Sequence, residues 1–244
     1  MAIYALENLT WPEAEKHLTK NAPIVIPLGA ALKEHGKHLP LNNDKIMVHH
    51  LTSKIGERLD FIVLPIMQSS YYPAFVEYPG SVSLSFQTAV AVMVETCKSL
   101  ASYGCRKFYV LNTGVSTARV LLKAKEILAA EIPDLRLSFT DFKAAIDAAS
   151  SGLRQQAGGG HADEVETSMM LHLIPEVVRM SRAEPDYHGD KPGPLTRDEQ
   201  KSADSDAVYS PTGAWGDPTL ATAQKGEVIV NRLLDWIEND IRNL

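Results

Sequence analysis

Residues 24–44 read IVIPLGAALKEHGKHLPLNND, and this stretch decides how the 244-residue chain is read. The apolar run 24–28 is short, rich in β-branched residues and closed by Gly29, which predicts a buried strand. Directly after it come Glu34, His35, His38 and Asp44. In open α/β sheets ligands bind in the crevice beyond the carboxyl ends of the strands, so this polar cluster falls where a site is expected. Working outward, further strand candidates lie at 61–67, 108–111 and 135–139. Segments of helical periodicity separate them: 11–18 after a possible N-cap at Thr10, 46–59, 86–103 and 117–131. Alternation of this kind predicts β-α units around a parallel sheet, an α/β class.

The last third changes character. Residues 152–160 contain four glycines, 164–173 reads as a short helix, and 181–219 is rich in Pro, Gly and Asp. The last of these is too long for an ordinary connection, which predicts an ordered functional excursion or a subunit-contact arm. A terminal helix at 222–241 carries Val228, Ile229, Leu233, Ile237 and Ile241 on one side. With no internal repeat, the expectation is a single domain over 1–244.

Composition narrows the function classes. Hydrophobic residues make up 45% of the chain, enough for a sizeable core, and a formal net charge of −6 gives no basic footprint for nucleic acid. Two cysteines, Cys97 and Cys105, suggest neither a disulfide framework nor a thiolate zinc site, and so a reducing, cytoplasmic setting. No apolar run approaches the roughly 20 residues needed to cross a bilayer, so no membrane partner is expected. Small-molecule chemistry is the expectation.

Two carboxylates and two imidazoles within 34–44 offer oxygen and nitrogen ligands suited to zinc, manganese or iron, and an open metal position would lower the pKa of a bound water. The same residues also fit a plain loop, with Glu34 solvated, His38 capping a turn and Asp44 serving as N-cap of the next helix; spacing leaves both readings open. His161 follows Gly158-Gly159-Gly160, and an imidazole with an ordinary pKa of about 6.5 suits acid–base work. Glu166, on the helix that follows, is either a site residue or a capping or salt-bridge partner. The loop 113–117, TGVST, lies between a strand and a helix; it can hold an anion or simply cap the helix through Ser116 or Thr117. His188 in the excursion could face a neighbouring subunit, and Trp215 fits a pocket wall or an interface.

The string 33–44, KEHGKHLPLNND, resembles the signature of the creatininase (creatinine amidohydrolase) family, usually Glu-Gln-His-Gly-x-His-Leu-Pro-Leu-x-x-Asp. Three more stretches follow in order. YPGSVSL at 78–84 resembles the family's Phe-Pro-Gly-Thr-x-Ser-Leu, HADEVETS at 161–168 its His-Ala-Gly-x-x-Glu-Thr-Ser, and GAWGDP at 213–218, with Ala221 and Lys225-Gly226, its closing region. The resemblance spans nearly the whole chain. It implies a three-layer sandwich with a mostly parallel central sheet. It also implies a metal centre holding one or two divalent ions through Glu34, His35 and Asp44, with His161 as proton shuttle and Glu166 close to the metal. Glu34 adjoins His35 where the family has an intervening Gln, as though the segment carried one extra residue, and a bulge would then aim Glu34 at the metal.

A second departure lies at Asn112-Thr113-Gly114-Val115-Ser116-Thr117, where the family reads Asn-Gly-His-x-x-Asn. Gly114 stands for the ligand His and Ser116 for the Glu of dinuclear members. Three outcomes follow: a single ion completed by Glu166 or His161, an anion held by the loop, or lost catalysis. The resemblance implies a metal-dependent amidohydrolase that cleaves a non-peptide C–N bond of a small linear or cyclic amide through a metal-activated water. It also implies a homo-oligomer, often a hexamer in the family. The rivals are a creatininase-fold ligand-binding or regulatory protein without hydrolysis, and a deformylase or peptidase.

Overall fold

The computed structural model describes residues 3–18, 23–188 and 193–244. Five short strands, Ile3–Ala5 (β1), Ile24–Leu28 (β2), Phe61–Val63 (β3), Lys107–Asn112 (β4) and Arg136–Phe139 (β5), form one sheet in the order β1-β3-β2-β4-β5. Every neighbouring pair is parallel, with Val25 opposite Tyr109 and Leu28 opposite Asn112. Because side chains alternate along a strand, each strand feeds two cores. Ile24, Ile26, Phe108 and Val110 join the helices Trp11–Leu18 (α1), Phe86–Ala101 (α3) and Ala118–Glu131 (α4). Val25, Tyr109 and Leu111 join Asn43–Gly56 (α2), Phe142–Ala149 (α5), Glu164–Leu173 (α6) and Ala223–Arg242 (α8) on the other face. The result is the expected three-layer sandwich, with a central sheet that is wholly parallel among the described strands.

Three boundaries differ from the sequence reading. The strand expected over 61–67 stops at Val63; Pro65 has no N–H to give, and pairing resumes only as a bridge between Leu28 and Met67. Helix α2 starts at Asn43, earlier than 46, because the turn at Pro40 lets the Asn43 N–H donate to the Pro40 carbonyl. Asp44 therefore lies inside the first helical turn and is not its N-cap. Helix α5 went unread, although Asp141 caps it by accepting from the Ala144 N–H at 3.1 Å.

Within the 181–219 stretch, residues 189–192 lie outside the described residues. The rest is ordered and packs on its own chain. Strands Leu195–Thr196 (β6) and Val208–Tyr209 (β7) pair in parallel and flank helix Glu199–Asp204 (α7). Glu77 anchors this unit by accepting from Thr196 Oγ1 at 2.6 Å and pairing with Lys201, while Tyr78 Oη donates to the Ser210 carbonyl at 2.7 Å. Among the described residues no helix is long and apolar enough to cross a membrane.

Helices α6 and α8 pack closely at Gly226, where an added Cβ would overlap the Ser168 carbonyl oxygen. Gly226→Ala should therefore destabilise the fold by about 2 kcal/mol through overpacking. Urea unfolding should show a lowered midpoint with an unchanged slope.

Candidate active site

The site is built where β2 ends. From Leu28 the chain loops back to α2, bringing Asp44, fully buried, beside the carboxyl ends of the central strands β2 and β4. Thr113, just past β4, ties the two elements together through its hydroxyl, which lies within hydrogen-bonding reach of the Leu28 and Asp44 carbonyls at 3.2 and 3.3 Å. Asp44 Oδ1 accepts from His35 Nε2 at 2.8 Å, and the Lys33 ammonium lies 2.6 Å from Oδ2. The ammonium approaches off the line of a hydrogen bond, so this contact is a pairing of charges more than an aligned bond. Burial alone would raise the Asp44 carboxyl, but Lys33 and His35 outweigh it and hold the group well below the usual carboxylate range. His35 Nδ1 lies 2.9 Å from the Lys33 carbonyl, so both ring nitrogens face oxygen atoms.

The structure corrects the expected placement of Glu34. No bulge turns it toward His35 and Asp44. Read without a gap, the family pattern puts Lys33 at its Glu and Glu34 at its Gln, and the side chains follow that register. Lys33 is 4% exposed, with its ammonium 5.1 Å from the Phe75 ring centroid and 5.8 Å from that of Tyr72. Glu34 turns the other way: Oε2 accepts from His161 Nε2 at 3.0 Å and Oε1 from the Gly36 N–H. Its own N–H donates to Ser81 Oγ at 2.9 Å, which is the work of the 78–84 motif. Gly213, at φ +81, makes room for the carboxylate, since an added Cβ would overlap it.

His161 enters from the opposite side. Gly160 N–H donates to the Trp215 carbonyl at 3.0 Å and Trp215 N–H to the His161 carbonyl at 2.7 Å, a bridge that fixes the backbone. Next, Ala162 takes φ +48, a left-handed conformation costly for a residue with a Cβ. That turn aims its N–H at Glu166 Oε2, 2.6 Å away. Asp163 then caps α6 by accepting from Val165 and Glu166. Burial, followed by the charge of Glu166, pushes its carboxyl up to about 6. The His161 ring stacks 4.2 Å from Phe75 and 4.9 Å from His35, with Nδ1 3.8 Å from Glu166 Oε2. Burial would lower its pKa, but Glu34, through charge and hydrogen bond, and Glu166 together raise it above the ordinary value.

The remaining candidates resolve as structure. His38 does not cap a turn; it is buried against α6, shares a 2.8 Å hydrogen bond with Thr167 Oγ1, and burial lowers its pKa to about 4. Neither Ser116 nor Thr117 caps α4 by its side chain. Ser116 Oγ donates to the Tyr71 carbonyl at 3.0 Å, while the Thr117 hydroxyl lies 2.6 Å from Asn112 Oδ1 and 2.7 Å from the Gly114 carbonyl. With Thr113 already engaged, all three loop hydroxyls are held by the protein, which leaves little for an anion. His188 serves its own chain, with Nε2 3.0 Å from the Ala214 carbonyl and 3.2 Å from Asp186 Oδ1, its ring edge-on to Trp215.

A cavity of about 210 Å³ opens onto these groups, walled by Lys33, Phe75, Ser116, His161, Glu166 and Trp215. A second, of about 270 Å³, shares Phe142, Gly160, Glu166 and Trp215 with it. Larger surface cavities beside Arg136 and Asp240, and beside Trp11 and Tyr103, gather no comparable acid–base set. His35, His161 and Glu166 each place one potential donor atom within 4.8 Å of the others. Lys33 is the residue that sequence reasoning missed; its signal was the ungapped register of the first motif.

The family profile described as "Creatininase: Creatinine amidohydrolase" matches residues 7–241. The mycofactocin precursor peptide peptidase of Mycobacterium tuberculosis (strain CDC 1551 / Oshkosh) is 30% identical over 222 residues, covering 87% of this chain and 81% of the relative. The creatinine amidohydrolase of Pseudomonas putida is 26% identical, covering 96% and 95%. A crystal structure of creatininase superposes with a TM-score of 0.82 at 22% identity over 98% of this chain and 96% of that one. Other solved creatininases include a manganese form, a zinc–zinc form and a creatine complex, at TM-scores of 0.79, 0.78 and 0.81.

The raised pKa of His161 rests on Glu34 first. Glu34→Gln removes that charge and lets burial prevail, so the imidazole should titrate at lower pH. Following the His161 Cε1 proton by NMR across the titration checks this; an unmoved midpoint would show that Glu34 does not set it.

Proposed function

Because the chain belongs to the creatininase family of amidohydrolases, whose members hydrolyse C–N bonds, we propose that it cleaves a small linear or cyclic amide in the cavity between Lys33 and Glu166. The observation that carries this reading is the His161 imidazole. It is oriented by Glu34 on one nitrogen and opens with the other toward Glu166. A volume of about 210 Å³ is below the usual range for drug-sized ligands, which favours a compact amide over an extended chain.

The residues divide the chemistry. A water between His161 Nδ1 and Glu166 gives a proton to the imidazole as its oxygen bonds to the carbonyl carbon. Glu34 stabilises the imidazolium that forms. The C–N bond then breaks as His161 passes the proton to the leaving nitrogen, yielding a carboxylic acid and an amine. Trp215 and Phe75 wall the site and exclude bulk water. Solved creatininases include manganese and zinc forms. In this chain the expected ligands Glu34, His35 and Asp44 do not converge: Glu34 faces His161, and Asp44 is engaged by Lys33 and His35. The residues present do not fit a centre built on those three, and no step here passes through an ion.

A second reading, hydrolysis of a short peptide, is favoured by the adjoining 270 Å³ cavity, which could extend the site. A panel of formamides, lactams and short peptides separates the two. On whichever substrate is turned over, His161→Gln should lower kcat/KM by roughly 10²–10⁴-fold while leaving the thermal transition near that of wild type. Binding without turnover across the panel would instead favour the non-hydrolytic ligand-binding rival.

A further inference from the structure

We infer that the Lys33 ammonium takes the place of the metal cation in this chain, so that the site is organised, and its substrate carbonyl polarised, by an internal positive charge without a bound ion. Three parts of the site agree. First, Lys33 occupies the family pattern's Glu position and places its ammonium 2.6 Å from the carboxylate that would otherwise hold an ion. The other Asp44 oxygen lies 2.8 Å from His35 Nε2, and His35 Nδ1 lies 2.9 Å from the Lys33 carbonyl, so both ring nitrogens are engaged by oxygens of this chain.

Second, the loop after β4 has closed over the place of the missing ligands. Asn112 Nδ2 donates to the Gly114 carbonyl at 2.7 Å, and Asn112 Oδ1 accepts from the Gly114 N–H at 3.2 Å and lies 2.6 Å from Thr117 Oγ1. A Cβ at Gly114 would lie 2.9 Å from Thr117 Oγ1, so a histidine there would require this knot to open. The Ser116 hydroxyl is spent on the Tyr71 carbonyl.

Third, Lys33 lines the same cavity as His161 and Glu166. Its ammonium lies over the faces of Phe75 and Tyr72, whose rings favour a cation. A buried ammonium fixed by one carboxylate is a preorganised charge of the kind that stabilises an oxyanion. In the hydrolysis proposed above, negative charge develops on the carbonyl oxygen as water adds. Lys33 meets that charge, and the electron pair returns when the C–N bond breaks. This role at the carbonyl rests on the hydrolase reading; the replacement of the ion does not.

The test begins with the wild-type protein purified with zinc or manganese supplied, dialysed, and measured by elemental analysis and thermal melting. The expected result is a substoichiometric metal content and a melting temperature unchanged by chelator or by either ion. Lys33→Glu returns the pattern's carboxylate beside His35 and Asp44, and should bind zinc at least about tenfold more tightly than wild type, with a melting temperature that rises on adding zinc. Stoichiometric zinc or manganese in the wild type, with melting lowered by chelator, overturns the inference whether or not the variant folds. Lys33→Met should depress kcat with the protein still metal-free; undiminished kcat would remove the carbonyl role. A metal-free wild type that hydrolyses nothing on the panel refutes the hydrolase reading and leaves the replacement standing. Turnover only with added metal does the reverse.

Discussion

The structure of the site hangs on a buried carboxylate. Asp44 is held at the meeting point of β2, β4 and α2 with no access to solvent. Taking such a charge out of water costs several kcal/mol, and the cost is offset only if opposite charge and hydrogen bonds arrive with it. Lys33 and His35 both supply this from the same loop, so that loop is pulled inward and fixed at both ends. The first turn of α2 adds the favourable end of its helix dipole. Once Lys33 points to Asp44, its neighbour Glu34 must point elsewhere, and the side left open is the one from which His161 approaches. The Glu34–His161 pairing is therefore a consequence of how one buried charge is neutralised.

The opposite wall is held by different means. Ala162 carries a left-handed φ that costs of order 1 kcal/mol or more, and it keeps that conformation because surrounding bonds overdetermine it. Its N–H is claimed by Glu166, its neighbour Asp163 caps α6, and the bridge to Trp215 fixes His161. Glu164 adds a second tie, accepting from the Gln155 and Gln156 N–H groups and pairing with Lys225 of α8. Helix α6 is thus locked to α8 at two points, this ion pair and the close approach at Gly226. The strain at Ala162 is stored against a rigid support, which keeps His161 Nδ1 and Glu166 Oε2 3.8 Å apart.

Much of this was legible in the sequence because it rests on local rules. Strand β2 and helices α1 and α6 follow from apolar runs and periodicity, with the bounds the structure gives them. The association of His35 with Asp44 follows from the first motif. What failed depended on contacts between distant segments. A lysine in a polar cluster reads as exposed, and Lys33 is buried only because Phe75 and Tyr72 arrive from another loop to cover it. Glu34 has a carboxylate and sits beside a histidine, so proximity in sequence suggested a shared ligand set; its direction was decided by His161 and Gly213, both far along the chain. Strands β6 and β7 have two residues each, too few for alternation to show, and their pairing is fixed by Glu77 and Tyr78.

The departures from the family pattern also make sense together. A carboxylate exchanged for an ammonium changes the local charge from minus one to plus one, the same increment that a divalent ion would bring to the site. With Lys33 in place, a further cation beside Asp44 would meet repulsion where it once met attraction, so ligands elsewhere lose their purpose. Gly114 and Ser116 are what remains at two such positions, and the hydroxyls and amides around them have turned to bonding one another. Any one of these changes alone would leave a buried charge or a donor set without its partner. Taken as a group they keep Asp44 neutralised, keep a positive charge facing the cavity, and leave the Glu34–His161–Glu166 arrangement intact.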